Sequence, residues 1–290
     1  MSNYIIMTDS AGDIPLALVE SRNIHVIPMT VTMGNSSFPH YADERNMTSK
    51  EFYEKLRAGE TASTSALNPE QLKEAARPFM EEGKDVLYIG LSSGLTSTIS
   101  SAQLAFSELM EEFPERKAYA VDSLMASFGQ GMFVIMACDK RDEGMEFDAL
   151  CEYLDKKRHE VAAWFTVDDL FHLKRGGRVS AATAVIGSML SIKPVLHVDE
   201  EGHLINVSKA RGRKASIKAL LSQMQETLIE GETKYVYISH GDCESEALEL
   251  ANMIKAQLGI PEVVISTIGP VIGAHSGPGT IALFFLANKR

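Results

Sequence analysis

The chain has 290 residues, 45% of them hydrophobic and 23% charged, with a formal net charge of −11 and a sequence pI of about 5.3. That balance describes a soluble globular protein long enough for two ordinary domains. It speaks against a general nucleic-acid binder and against a protein drawn to anionic membranes.

The opening stretch MSNYIIMTDSAGD has no basic region and reaches Asp9 too early for a secretory signal. The apolar run from Ile281 to Ala287 is too short to span a bilayer, so stable membrane insertion is not expected. Cys138, Cys151 and Cys243 form no CxxC pair. Reduced thiols, no metal site and a cytoplasmic location are the expectation.

In chain order, Tyr4 to Met7 reads as a short buried strand, followed by Thr8-Asp9-Ser10-Ala11-Gly12-Asp13 and a helix opened by Pro15. Ile24 to Met33 alternates as one strand around Pro28, which suits a sheet edge. Thr48 followed by Glu51 forms a capping box for a helix to Arg57. The segment from Thr61 to Pro69 reads as a hydroxyl-rich loop ahead of a helix from Glu70 to Glu82.

Val86-Leu87-Tyr88-Ile89 is a second buried strand, and apolar residues at Ile99, Ala102, Phe106, Leu109 and Phe113 have helical spacing. Between them lies Ser92-Ser93-Gly94-Leu95-Thr96-Ser97-Thr98. A hydroxyl-rich turn at the carboxyl end of a parallel strand, backed by a helix N-terminus, is a small anion site. Its other reading is ordinary Ser/Thr helix capping, and the sequence leaves both open. With no lysine and no GxxxxGK[ST] pattern, it suits a carboxylate or a single phosphate better than a triphosphate.

Lys117 to Val121 is a strand ending in Asp122-Ser123, with a helix to about Arg141 and another from Asp148 to Arg158. Alternating strands and helices predict a parallel sheet whose polar strand ends, Asp9-Ser10, Ser92-Ser93 and Asp122-Ser123, share one edge with the Thr64 loop. After a strand from Glu160 to Val167 comes a basic glycine loop, Lys174 to Ser180, with Ser180 capping a helix to about Leu190. Ile192 to His197 and Leu204 to Ser208 flank Asp199-Glu200-Glu201-Gly202, a hairpin signal. Lys209, Arg211, Arg213 and Lys214 form a second basic cluster before a helix to about Leu228. A strand from Tyr235 to Ser239, a helix from Glu244 to Leu258 and a strand from Glu262 to Thr267 follow.

The boundary near residue 160 is soft, because no Pro/Gly/Ser-rich linker marks it. Gly269 to Gly279 reads as a glycine-rich loop that sets one histidine, His275, among glycines and prolines that dictate backbone shape, which makes it the ligand-contact candidate among the histidines.

The motifs TDSAGDIP at 8–15, TSALNP at 64–69, SSGLTST at 92–98, DS at 122–123, LKRGGRVS at 173–180, IKPVL at 192–196 and IGPVIGAHSGPG at 268–279 occur in this order. The whole chain resembles the DegV family of bacterial fatty-acid-binding proteins. The resemblance implies an α/β fold of two parts, residues 1–160 with a mainly parallel sheet and a smaller α/β domain at 161–290, with a ligand tunnel between them. The segment from about 269 to 290 contributes to the site. It implies one long-chain fatty acid such as palmitate as ligand, with no cofactor and no catalytic residues. The carboxylate ligands fall on Thr64, Ser93 and His275, with Ser65 adjacent and Gly94 and Gly273 as backbone support. A separate ATP-dependent fatty acid kinase is the implied partner, making acyl phosphate for phospholipid synthesis. Two departures stand out: TSALNP carries one extra residue before its proline, and Leu95-Thr96-Ser97-Thr98-Ile99 replaces the usual LSGTY.

Arg178, after Gly176 and Gly177 on a fixed turn, offers a bidentate fork to the kinase or to the transferred phosphoryl group. Two other readings compete. Ser93 with His275 makes a nucleophile and base for acyl hydrolysis, although Ser93 lies in no GxSxG elbow. The Gly176-Gly177-Arg178 loop alone suits a phosphosugar.

Overall fold

The computed structural model describes residues 3–179, 192–229, 231 and 236–289. Its first sheet is fully parallel, with strands in the order Ile24–Ile27, Tyr4–Asp9, Asp85–Gly90, Ala118–Asp122. The two central strands are near-continuous apolar runs because helices cover both faces. Ile5, Met7, Val86 and Tyr88 pack toward the helices Pro69–Glu81 and Thr98–Glu112. Tyr4, Ile6, Leu87 and Ile89 pack toward Phe128–Asp142 and Phe147–Lys157.

The second sheet has six strands in the order Leu204–Arg211, Ile192–Val198, Val161–Thr166, Ile281–Leu286, Val236–His240, Val263–Thr267. All neighbours are antiparallel except the last pair. Alternate residues again part to opposite faces. Ala162, Trp164, Leu283 and Phe285 meet the helices Arg213–Thr227 and Glu244–Leu258. Ala163, Phe165, Ala282 and Phe284 join the same core as Tyr4 and Ile6. The helix Phe128–Asp142 is therefore clamped between the two sheets. Gly129 and Gly131 make this approach possible: a Cβ at Gly129 would lie 2.7 Å from the Phe284 ring, and one at Gly131 would lie 2.9 Å from the Ile14 side chain.

A third, antiparallel sheet joins Ser36–His40, Met29–Met33 and Ala62–Ser65. It corrects two expectations. The single strand expected from Ile24 to Met33 is two strands in two sheets, broken at Pro28, whose missing N–H ends the pairing. The piece before the break lies at an edge, as Pro28 suggests. The segment expected as a loop from Thr61 to Pro69 instead pairs as the edge strand Ala62–Ser65. Asn68 and Gln71 then form a reciprocal capping box for the next helix. The expected box at Thr48 and Glu51 is present. The hairpin around 199–202 is present and longer than expected, its second strand running to Arg211. The helix expected after Ser180 and the start of the strand at Tyr235 lie outside the described residues. Among the described residues no helix is long and apolar enough to cross a membrane.

Candidate functional site

The inner face of the six-stranded sheet is the floor of a cavity. Cross-strand pairing sets Ala163 opposite Phe284 and Phe165 opposite Ala282. Each large ring thus faces a methyl group, which leaves an apolar trough. Val198 and Leu204 extend it at the hairpin, and Leu91 and Ala126 close it from the parallel sheet.

The polar groups converge on a helix, Pro270–Ser276, where a glycine-rich loop was expected. Pro270 takes the first helical position, where its missing N–H costs nothing. Gly273 lets the helix lie flush on the helix Ser49–Arg57. A Cβ there would sit 2.7 Å from Tyr53 Oη and 2.8 Å from Phe52. Tyr53 Oη donates to the Ile268 carbonyl at 2.9 Å.

His275 is in the last turn of this helix, and its Nε2 lies 2.7 Å from Thr64 Oγ1 on the edge strand. Its Nδ1 is buried with no hydrogen-bond partner among the described residues. Burial, with the cations of Arg178 and Arg175 nearby, pushes the imidazole down to about 4. The ring is neutral at pH 7, with one donor and one acceptor nitrogen. Gly176 backs it, since any Cβ at that position would fall on the imidazole.

Arg178 also lines the cavity. Its Nη1 donates to the Gly176 carbonyl at 2.5 Å and its Nε to the Leu95 carbonyl at 3.3 Å. Burial lowers its pKa, and no carboxylate causes a shift. An uncharged imidazole, a hydroxyl and an arginine fork held by main-chain carbonyls are suited to a single carboxylate.

Thr64, His275 and Arg178 thus stand together. Ser65 and Ser93 are exposed and are not among the residues lining the cavity. The Ser93 N–H donates to Asp122 Oδ1 at 3.2 Å. Its turn offers Leu95 and Thr96 to the cavity instead. Gly94 supports that turn by allowing contact with the hairpin, where a Cβ would lie 2.9 Å from the Glu201 and Gly202 carbonyls.

The strand-end polar groups expected to face a ligand hold the backbone instead. Ser92 Oγ donates to the Gly202 carbonyl at 2.9 Å, Ser123 Oγ to the Gly90 carbonyl at 2.7 Å, and Asp9 Oδ1 accepts the Ala11 N–H at 3.0 Å. For a hydrolase, His275 engages Thr64 and not Ser93, and among the described residues no acid orients its Nδ1. In the second basic cluster, Arg213 Nη2 pairs with Glu246 at 2.8 Å. No group of three or more His, Cys, Asp or Glu that could hold a metal ion occurs among the described residues.

Sequence reasoning missed the floor residues and the lining hydroxyls of Ser127, Ser276 and Thr280. The alternation of small and aromatic side chains in VAAWFT and IALFFL carried the floor signal.

A second, more polar cavity lies behind Gly269, where Asp9, Ser10, Asp13, His40, Glu44 and Ser266 line it together with apolar residues such as Ile14 and Val26.

The family profile described as an uncharacterised protein of the DegV family matches residues 3–288. A DegV domain-containing protein of Clostridium perfringens is 37% identical over 290 residues, covering 100% of this chain and 99% of that protein. Among solved structures, a DegV lipid-binding protein from Thermotoga maritima is 31% identical with a TM-score of 0.87, covering 100% of both chains. A DegV family protein from Thermus thermophilus, described as binding fatty acid, is 30% identical with a TM-score of 0.86, covering 98% of this chain and 99% of that one.

Proposed function

The chain belongs to the DegV family, and on that premise we propose that it binds one long-chain fatty acid and presents the carboxylate to a separate ATP-dependent fatty acid kinase. The kinase would make acyl phosphate for phospholipid synthesis in the cytoplasm. The observation that carries the binding reading is an apolar trough ending in one polar cluster, Thr64, His275 and Arg178. The lipid and fatty-acid binding of the Thermotoga and Thermus relatives supports it. In this reading residues 1–160 and 161–290 are the two domains, and the last segment, from about 269, belongs to the site.

Energetics divide the roles. A palmitoyl chain burying about 15 methylenes at about 0.8 kcal/mol each gains roughly 12 kcal/mol before the costs of association. Hydrogen bonds to the charged head contribute about 1.5–3 kcal/mol each. The trough supplies affinity and the head cluster orientation. Thr64 Oγ1 and a ring nitrogen of His275 donate to the carboxylate. Arg178 exchanges a main-chain carbonyl for the phosphoryl group that the kinase delivers. Ser65 and Ser93 reach the head group only after a local change of the rotamer or turn.

Mass spectrometry of ligand extracted from the purified protein tests the reading. Intact long-chain fatty acid at about one per chain is the expected result. Delipidated protein that binds no acid from myristic to stearic at micromolar concentration would sink it. Release of p-nitrophenol from acyl esters, abolished by Ser93→Ala, would favour the hydrolase.

A further inference from the structure

The TDSAGD motif does not reach the fatty-acid site, yet its last residue is tied to it. Asp13 is buried and adopts φ 47°, in the left-handed region that costs a non-glycine residue free energy. Each of its three oxygens is engaged. Oδ1 accepts the Gly269 N–H at 2.9 Å, Oδ2 accepts Ser127 Oγ at 2.5 Å, and the carbonyl accepts Ser266 Oγ at 2.7 Å. Gly269 is the residue before the helix that carries His275, and it offers no side-chain cap of its own. A Cβ at Gly269 would lie 2.9 Å from Asp13 Oδ1, so the glycine admits the carboxyl. Ser127 lines the apolar cavity and also holds a backward φ of 54°. Its Oγ continues to Ser239 Oγ at 3.0 Å.

A helix of seven residues has no stability of its own, so its direction is set by what grips its ends. We propose that Asp13 is a positioning residue for the head-group site: its carboxyl fixes the Gly269 end of the helix that aims His275, and also one hydroxyl of the cavity wall. The proposal rests on the fatty-acid reading only for its consequence in ligand affinity; the aiming of His275 stands in the free protein. Burial raises the Asp13 carboxyl to about 8 despite its two donors, with Asp9 and Glu44 adding to the rise. An amide of the same shape is therefore the fitting conservative replacement. Its oxygen accepts the Gly269 N–H, and its NH₂ donates to Ser127 Oγ, whose own proton turns to Ser239.

The test reads the ring-nitrogen NMR signals of His275 in the free protein, and separately the affinity for palmitate. Asp13→Asn should leave both close to the wild type. Asp13→Ala should shift the His275 signals and weaken palmitate binding about tenfold, the scale of a lost helix cap. Leu150→Ala, a buried substitution in the helix Phe147–Lys157, controls for lost stability and should leave the His275 signals in place. Should Asp13→Ala not fold, Ser127→Ala removes one anchor of the same carboxyl and should shift the signals by a smaller amount. His275 signals that move no more in Asp13→Ala and Ser127→Ala than in Leu150→Ala overturn the proposal. If wild-type protein fails to bind palmitate, the fatty-acid reading falls, while the His275 comparison still decides the role of Asp13.

Discussion

The two cavities that flank residues 268–269 differ in what lines them. One is a trough of alanine, phenylalanine and branched side chains with a single polar end. The other mixes Asp9, Asp13, His40 and Glu44 with apolar residues such as Ile14 and Val26, and its carboxyls already have partners. Asp13 holds Ser127 and Gly269, Asp9 holds Tyr88 and Ala11, and Glu44 holds the hydroxyl and N–H of Ser49. A cavity alone therefore does not make a site. A ligand enters where apolar surface gains from being covered and where polar groups keep bonding capacity, as His275 and Arg178 do. Carboxyls whose bonds are already made stiffen the frame around it.

The largest effect should come from filling the trough. Ala163→Phe puts a second ring opposite Phe284 and occupies the path of the acyl chain. Palmitate affinity should fall at least about a hundredfold, measured by titration of delipidated protein. The fold should persist, since overpacking costs about 1–3 kcal/mol. Unchanged affinity in a folded variant would break the contrast between the cavities.

Next are the head-group residues. Thr64→Ala and His275→Ala should impair kinase-dependent acyl phosphate formation more than they impair palmitate binding. Arg178→Ala should keep the ligand while turnover with the kinase falls about tenfold, or about 1.4 kcal/mol in the barrier. High salt should weaken coupling to the kinase, because exposed charges are screened. Head-group variants that fold yet bind no palmitate would show that the polar end, and not the trough, supplies the affinity.

Much of the frame was legible because its signals are local. The runs at Tyr4–Met7 and Val86–Ile89 carry their own burial, and Thr48 with Glu51 carries its own cap. Ala62–Ser65 was not legible, because ASTS has only one small apolar residue, Ala62, and becomes a strand only by pairing with Met29–Met33. The helix Pro270–Ser276 was hidden by its glycines and is held by Tyr53 and Asp13, distant in sequence. In the site, Thr64, His275 and Arg178 could be picked out by residue type and motif. In the Ser92–Thr98 turn, however, one residue of register decides which hydroxyl is buried and which exposed, and composition does not contain that register. The floor was masked because strands buried on both faces read as one apolar run.

The polar cavity should report through stability and not through ligand. Burial pushes His40 down to about 4, against about 6.5 in an unfolded chain. The unfolded state then binds the extra proton, so the contribution of His40 is whole above pH 6.5 and is lost as pH falls from 6.5 through 4. His40→Asn should flatten that acid slope in thermal melts at a series of pH values, without changing palmitate affinity at pH 7. A slope of equal steepness in the variant would assign the acid sensitivity to other groups. The smallest effect belongs to Glu44→Gln, which should leave palmitate affinity within about twofold of the wild type, the size of an ordinary surface change.

The measurement that bears most directly on the central claim is a crystal structure of the protein with palmitate. The carboxylate should lie within hydrogen-bond distance of Thr64 Oγ1 and His275, with the chain running over Ala163, Phe165 and Phe284 in the trough. A carboxylate found instead in the polar cavity beside Asp13, or an acyl chain lying outside the trough, would contradict it.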